Sequence, residues 1–136
     1  CDSLKEIVLP EGLTVVPRDT FRSCISLERV TLPDTVVKID RAAFYGCGSL
    51  KTLSLPENFR KIADEAFYNS GLDSIVLPAG MTEIAKGAFH KCPLTNASFG
   101  GNKSKLYLIA SAAIGTIDDT EVIVRCSDGV ADVWFN

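Results

Sequence analysis

The stretch LERVTLPDTVVKIDRAAFYGC, residues 27–47, decides the fold, because its spacing of apolar residues recurs before and after it. It reads Leu-x-x-Val-x-Leu-Pro, then an apolar residue three further, an Ile three beyond that, a Phe five later and a Cys three later. Aligned with its copies, it gives one column of Leu4, Leu27, Leu50, Leu72 and Leu94, and a second of Ile7, Val30, Leu53, Ile75 and Ala97. A third column holds Leu9, Leu32, Leu55, Leu77 and Phe99, and prolines follow at Pro10, Pro33, Pro56 and Pro78. Further along run Leu13, Val36, Phe59, Met81, then Val16, Ile39, Ile62, Ile84, then Phe21, Phe44, Phe67, Phe89. Cys24, Cys47 and Cys92 close the turn, with Ser70 standing in once.

A unit of 22 or 23 residues cannot bury its own apolar face, so each coil must cover the next and the columns become stacked ladders in one continuous core. The period is that of a leucine-rich-repeat array. Leu-x-x-Ile-x-Leu suits a short strand with alternate residues inward, and the proline after it ends the pairing. The stretches DRAAF at 40–44 and ADEAF at 63–67 are rich in helix formers, so short helical or tight-turn segments are expected on the opposite side. Strands one coil apart are expected to pair in parallel, with a right-handed crossover. The expected class is α/β: a right-handed solenoid with a parallel β-sheet on one face and a β-hairpin cap at the C-terminus.

The spacing predicts repeats at 4–26, 27–49, 50–71 and 72–93, a degenerate repeat at 94–118 and a cap at 119–136, all within one domain spanning 1–136. Ile109-Ala-Ser-Ala-Ala-Ile114 aligns with Ile84-Ala-Lys-Gly-Ala-Phe89, and the extra residues of the fifth coil are placed in a Gly100–Lys105 loop. Val122 and Val124 are expected in the second and third strand columns. Ser127-Asp128-Gly129 is a hairpin signal, so the residues from Val130 onward should return antiparallel and cover the last edge. On that returning strand Ala131 and Val133 are expected inward and Trp134 outward. Cys1 falls one period before Cys24, so the chain is expected to be the C-terminal part of a longer array with an open N-terminal edge.

The combination Leu-x-x-Ile-x-Leu-Pro, Ile, Ala-Phe-x-x-Cys resembles the BspA-like leucine-rich repeats of bacteria and protists. LPDTVVKIDRAAFYGC at 32–47 and LPAGMTEIAKGAFHKC at 77–92 carry the resemblance most closely. Thr20 before Phe21 and Ser70 in the Cys column depart from it. The resemblance implies a secreted or cell-surface bacterial protein that adheres to host proteins or other cells.

With 23% charged residues, a net charge of −3 and a pI near 5.1, the chain lacks the basic face that nucleic-acid binding requires. No apolar run approaches the roughly 18 residues of a membrane span, so direct insertion is not expected. His90 is the single histidine, in the outward column Arg22, Tyr45, Tyr68, His90, and no nucleophile and base can be assembled around it. No catalytic, metal or cofactor site is therefore expected. Four of the five cysteines share one column and read as a ladder of buried thiols, since side chains pointing the same way along a column rarely reach disulfide torsions.

What remains is surface. Period-two alternation turns Glu6, Arg29, Thr52, Ser74 and Asn96 outward in one strand column and Val8, Thr31, Ser54 and Val76 in the next. These residues, with Trp134, are the candidate contacts of a non-enzymatic module that binds a protein or glycan partner outside the cell. The alternative is an architectural spacer or assembly element of a larger surface or virion-like complex, docking through the cap or associating at the open N-terminal edge.

Overall fold

The structure is a computed structural model and describes residues 1–109 and 121–134. In chain order the elements are β1 (Glu6–Val8), β2 (Val15–Val16), β3 (Arg29–Thr31), β4 (Lys38–Ile39), β5 (Lys61–Ile62), β6 (Ser74–Leu77), β7 (Glu83–Ile84), β8 (Asn96–Phe99), α1 (Lys103–Ile109), β9 (Glu121–Cys126) and β10 (Gly129–Trp134). Parallel strands wind into a solenoid of stacked coils, as the repeat predicts.

The repeat columns form the core. Phe21, Phe44, Phe67 and Phe89 stack face to face along the axis, with centroids 5.3, 5.4 and 5.6 Å apart. Val36, Phe59, Met81, Ile39, Ile62 and Ile84 are fully buried beside them. The apolar cluster runs without a break from Leu9 to Ala131. Phe44 and Phe67 are each sandwiched between two rings, so the column contributes dispersion as well as transfer free energy.

The strand face is less regular than the spacing predicts. β1 pairs with β3 in register Glu6↔Arg29, and β6, β8, β9 and β10 form a separate sheet. The expected strand of the third coil, at 50–55, does not form; only the Lys51 carbonyl bonds forward, accepting from the N–H groups of Asp73 and Ser74. The period also changes here. Two residues, Ile25-Ser26 and Gly48-Ser49, link the Cys and Leu columns before the second and third coils, but Gly71 alone links them before the fourth. Gly71 N–H donates to the Cys47 carbonyl at 3.0 Å, and a Cβ at Gly71 would overlap the Gly48 carbonyl oxygen. At 50–55 the third coil pairs as a strand with neither neighbour.

The opposite side takes the tight-turn form of the expectation and adds a strand ladder that the spacing did not predict. Behind the strand face, β2, β4, β5 and β7 form a second parallel ladder, in register Val16↔Ile39↔Ile62↔Ile84. After it come turns rather than helices. In each turn alternate N–H groups leave the coil: Asp19, Phe21 and Ser23 donate to the Arg41, Ala43 and Tyr45 carbonyls, and Phe44 and Gly46 repeat this toward Ala66 and Tyr68. A helix would keep those donors inside its own coil. The alternation places Asp19, Ala42, Glu65, Ser23, Asn69 and Lys91 at φ of 52 to 59°, with Gly46 and Gly87 at equivalent positions. For the non-glycine residues that conformation costs about 1 kcal/mol each, offset by the third inter-coil ladder it creates.

Among the described residues α1 is the only helix, and it begins inside the loop predicted at 100–105. Asn102 caps it, its Oδ1 accepting the Lys105 N–H at 2.8 Å, and the Asp128 carboxylate accepts the Lys103 N–H at 2.9 Å. The hairpin forms as expected, with Gly129 opposite Cys126 and Ala131 opposite Val124. Its register on the solenoid differs, since Ala97 pairs with Val124 and not with Val122. A slip of two keeps the inward parity of every residue, so apolar alternation alone cannot detect it. Val124 and Ala131 are buried and Val130 is exposed. The expected coil segment at 110–118 and the side chains of Val122, Val133 and Trp134 lie outside the described residues.

The Cys column also needs correction. Cys1 and Cys24 form a disulfide, with Cα atoms 5.1 Å apart, whereas Cys47 and Cys92 are free and buried. Those thiols donate back one coil, Cys47 Sγ to the Phe21 carbonyl at 3.0 Å and Cys92 Sγ to the Phe67 carbonyl at 2.8 Å. Burial pushes the Cys47 thiol up to about 11 and raises Cys92 as well.

Candidate functional site

The strand face carries the candidate contacts in three groups. In the first two coils Glu6 lies beside Arg29 and Val8 beside Thr31, all exposed, and Arg29 Nη2 reaches Glu6 Oε2 at 3.1 Å. That pair neutralises itself. Being solvent-exposed, it contributes at most a fraction of a kcal/mol to stability.

In the fourth and fifth coils Ser74 pairs with Asn96 and Val76 with Ser98. Val76 stands out at 67% exposure, Asn96 is exposed and Ser74 is half-buried. Between these groups lies the irregular third coil, with Thr52 and Ser54 exposed on it. Where its strand fails to pair with β6, a groove of about 320 Å³ opens, lined by Thr52, Leu53, Ser54, Leu55, Ser74, Ile75, Val76, Asn96 and Ser98. Its walls are hydroxyl and amide groups, its floor is aliphatic, and among the described residues no ionisable side chain lines it. Five of the residues predicted for the face, Thr52, Ser54, Ser74, Val76 and Asn96, therefore converge on one concavity.

On the other side of the third coil a second recess, of about 420 Å³, is lined by Glu28, Arg29, Gly48, Ser49 and Lys51. Of these only Arg29 is predicted from alternation. Gly48 and Ser49 sit in the link between the Cys and Leu columns, and Glu28 and Lys51 directly follow Leu27 and Leu50. The two recesses differ chemically, one neutral and one carrying charges of both signs, and the third coil is the wall between them. The backbone of Trp134 pairs with Glu121 on the edge strand β10.

The turn side carries its own surface. Tyr45 stacks on Tyr68 and Tyr68 on His90, both at 4.8 Å, while the Arg22 guanidinium lies 4.3 Å from the Tyr45 centroid and Lys91 Nζ 5.6 Å from that of Tyr68. The outward column holding His90 is thus an ordered stack, exposed at Arg22 and half-buried at Tyr45, Tyr68 and His90. Because each ring covers the faces of its neighbours, the column offers edges to solvent and few free faces. Among the described residues no group of three or more His, Cys, Asp or Glu is arranged to hold a metal ion, and no helix is long and apolar enough to cross a membrane.

A sequence profile described as the BspA type leucine rich repeat region matches residues 1–111 in six copies. Among solved structures, a leucine-rich repeat protein from Bacteroides ovatus is 34% identical, with a TM-score of 0.67 over 71% of this chain and 25% of its own. The T. pallidum leucine rich repeat protein is 33% identical, with a TM-score of 0.66 over 71% of this chain and 45% of its own. A leucine rich cell surface protein from Faecalibacterium prausnitzii, 24% identical, shares the fold with a TM-score of 0.68 over 82% of this chain and 36% of its own. The chain thus spans less than half the length of each of these proteins. No curated protein matches it.

Proposed function

Because the chain belongs to the BspA-type leucine-rich-repeat family, whose profile covers residues 1–111, we propose that it is a non-enzymatic module that binds a protein or glycan partner through its strand face, outside the cell. Leucine-rich-repeat domains generally mediate protein interactions, and their curved stacks present one continuous surface to a partner. The observation that carries the reading is the convergence of Thr52, Ser54, Ser74, Val76 and Asn96 on the groove beside the third coil. Its neutral lining suits hydrogen-bonding partners and gives no purchase to phosphate or other highly charged ligands. The Cys1–Cys24 disulfide supports an oxidising, extracytoplasmic setting.

The test is a screen of the folded chain against extracellular-matrix proteins and a glycan array, repeated with Thr52→Arg and Val76→Arg. Each places a long charged side chain in the groove without touching a core column. Loss of binding by tenfold or more in both variants is expected for any partner found. A partner that binds both variants as tightly as the native chain moves the contact off this face and favours docking through the cap.

A further inference from the structure

The sulfur column is the one cluster of reactive groups that the strand-face reading leaves unused. Cys1, Cys24 and Cys47 occupy the same place in successive coils, and the first two are already bonded. One more place in the same column shows how closely its members meet without a bond, since Ser70 Oγ and Cys92 Sγ lie 3.3 Å apart across one coil step. The step from Cys24 to Cys47 is the same as from Cys1 to Cys24, 23 residues in each case.

We propose that Cys1, Cys24 and Cys47 form a disulfide-exchange register, in which the Cys1–Cys24 bond passes inward to become Cys24–Cys47 and frees Cys1 as a reactive thiol. Cys47 loses its proton, its thiolate attacks Cys24 Sγ, the bond to Cys1 breaks, and the Cys1 thiolate leaves and takes up a proton. One S–S bond forms as one breaks, so no external oxidant is consumed. The column sets nucleophile, central sulfur and leaving sulfur in succession along the solenoid axis, the order that displacement at a disulfide sulfur requires. The move strands no acceptor, because the Phe21 carbonyl that loses the Cys47 thiol keeps the Cys24 N–H at 3.1 Å. Cys1 is exposed in this chain and Cys47 is fully buried, so within it exchange carries a thiol from the interior to the surface. Burial holds Cys47 as a neutral thiol, with a pKa of about 11, so the exchange is slow near neutrality and speeds up with pH.

The experiment incubates the oxidised chain at pH 7 and pH 9.5, traps free thiols with iodoacetamide and maps the disulfides by mass spectrometry. A Cys24–Cys47 linkage and alkylated Cys1 are expected together, at a rate roughly tenfold higher per pH unit and independent of protein concentration. Cys47→Ser should leave Cys1 unmodified. In Cys1→Ser, altered at an exposed position, mild oxidation should join Cys24 to Cys47 in the folded chain, as judged by circular dichroism. The proposal is overturned if Cys1–Cys24 stays the sole linkage at both pH values, if Cys1 is alkylated without Cys47, or if Cys24 and Cys47 both stay free thiols in folded Cys1→Ser under oxidant.

Discussion

At the scale of single residues, the two aromatic columns differ in degree of burial more than in order. Phe67 is fully buried between Phe44 and Phe89, so Phe67→Ala should lower stability by about 3–5 kcal/mol through lost transfer energy and the cavity left behind. Tyr68 is half-buried but stacked on both sides, so Tyr68→Ala should lower it by about 1–2 kcal/mol, more than a loose outward residue would. Thermal and urea unfolding of the two variants checks the order. Cys47 makes a pH prediction. Its thiol titrates near 11 in the fold against an ordinary value of 9.0, so the folded chain holds the proton more tightly. That contribution to stability is complete below about pH 9 and fades as pH rises toward 11, amounting to roughly 2–3 kcal/mol in all. Urea midpoints measured from pH 8 to pH 11 should therefore fall more steeply in the native chain than in Cys47→Ala. The inward columns were legible because repetition marks them. The disulfide was not, since a column of like residues does not announce which neighbours bond.

At the scale of the elements, the strands and turns depend on how backbone donors are shared between coils. The three strand pairs of the second ladder contain only two residues per strand, too few for alternation to reveal, although the β-branched column Val16, Ile39, Ile62 and Ile84 marks where they lie. The turn stretches left helix and tight turn both open because Ala, Asp, Glu and Arg favour helices, while the inter-coil N–H ladder decides for the turn. The seam at the third coil turns on Gly71. Gly71→Ala should cost about 1–3 kcal/mol, because its methyl overlaps the Gly48 carbonyl and the coils must separate there. Hydrogen exchange should quicken at residue 71, whose N–H bonds to Cys47 in the second coil, and at Asp73 and Ser74, whose N–H groups bond to Lys51 in the third, while the turn ladder at 41–46 stays protected. Unchanged exchange at those amides would detach the seam from the glycine.

At the scale of the whole molecule, the solenoid ends in an antiparallel hairpin that occupies the open edge of β9 and hides its donors and acceptors. Deleting residues 127–136 should expose that edge and produce oligomers detectable by light scattering; a truncated chain that remains monomeric and equally stable would remove the cap from the account. The hairpin was legible from Ser127-Asp128-Gly129 between alternating runs, whereas its two-residue shift against β8 was not, because both registers bury the same face. The candidate face was likewise legible as a set of outward residues, but the groove was not, since it arises where pairing fails. The claim on which the functional reading rests is that partners meet the chain at this groove. Amide hydrogen exchange of the chain with and without a partner recovered from the screen tests it most directly. Protection is predicted at 51–55 and 74–76, with the turns at 41–46 and 64–69 unchanged; protection confined to the turns, or to the hairpin at 121–134, would contradict it.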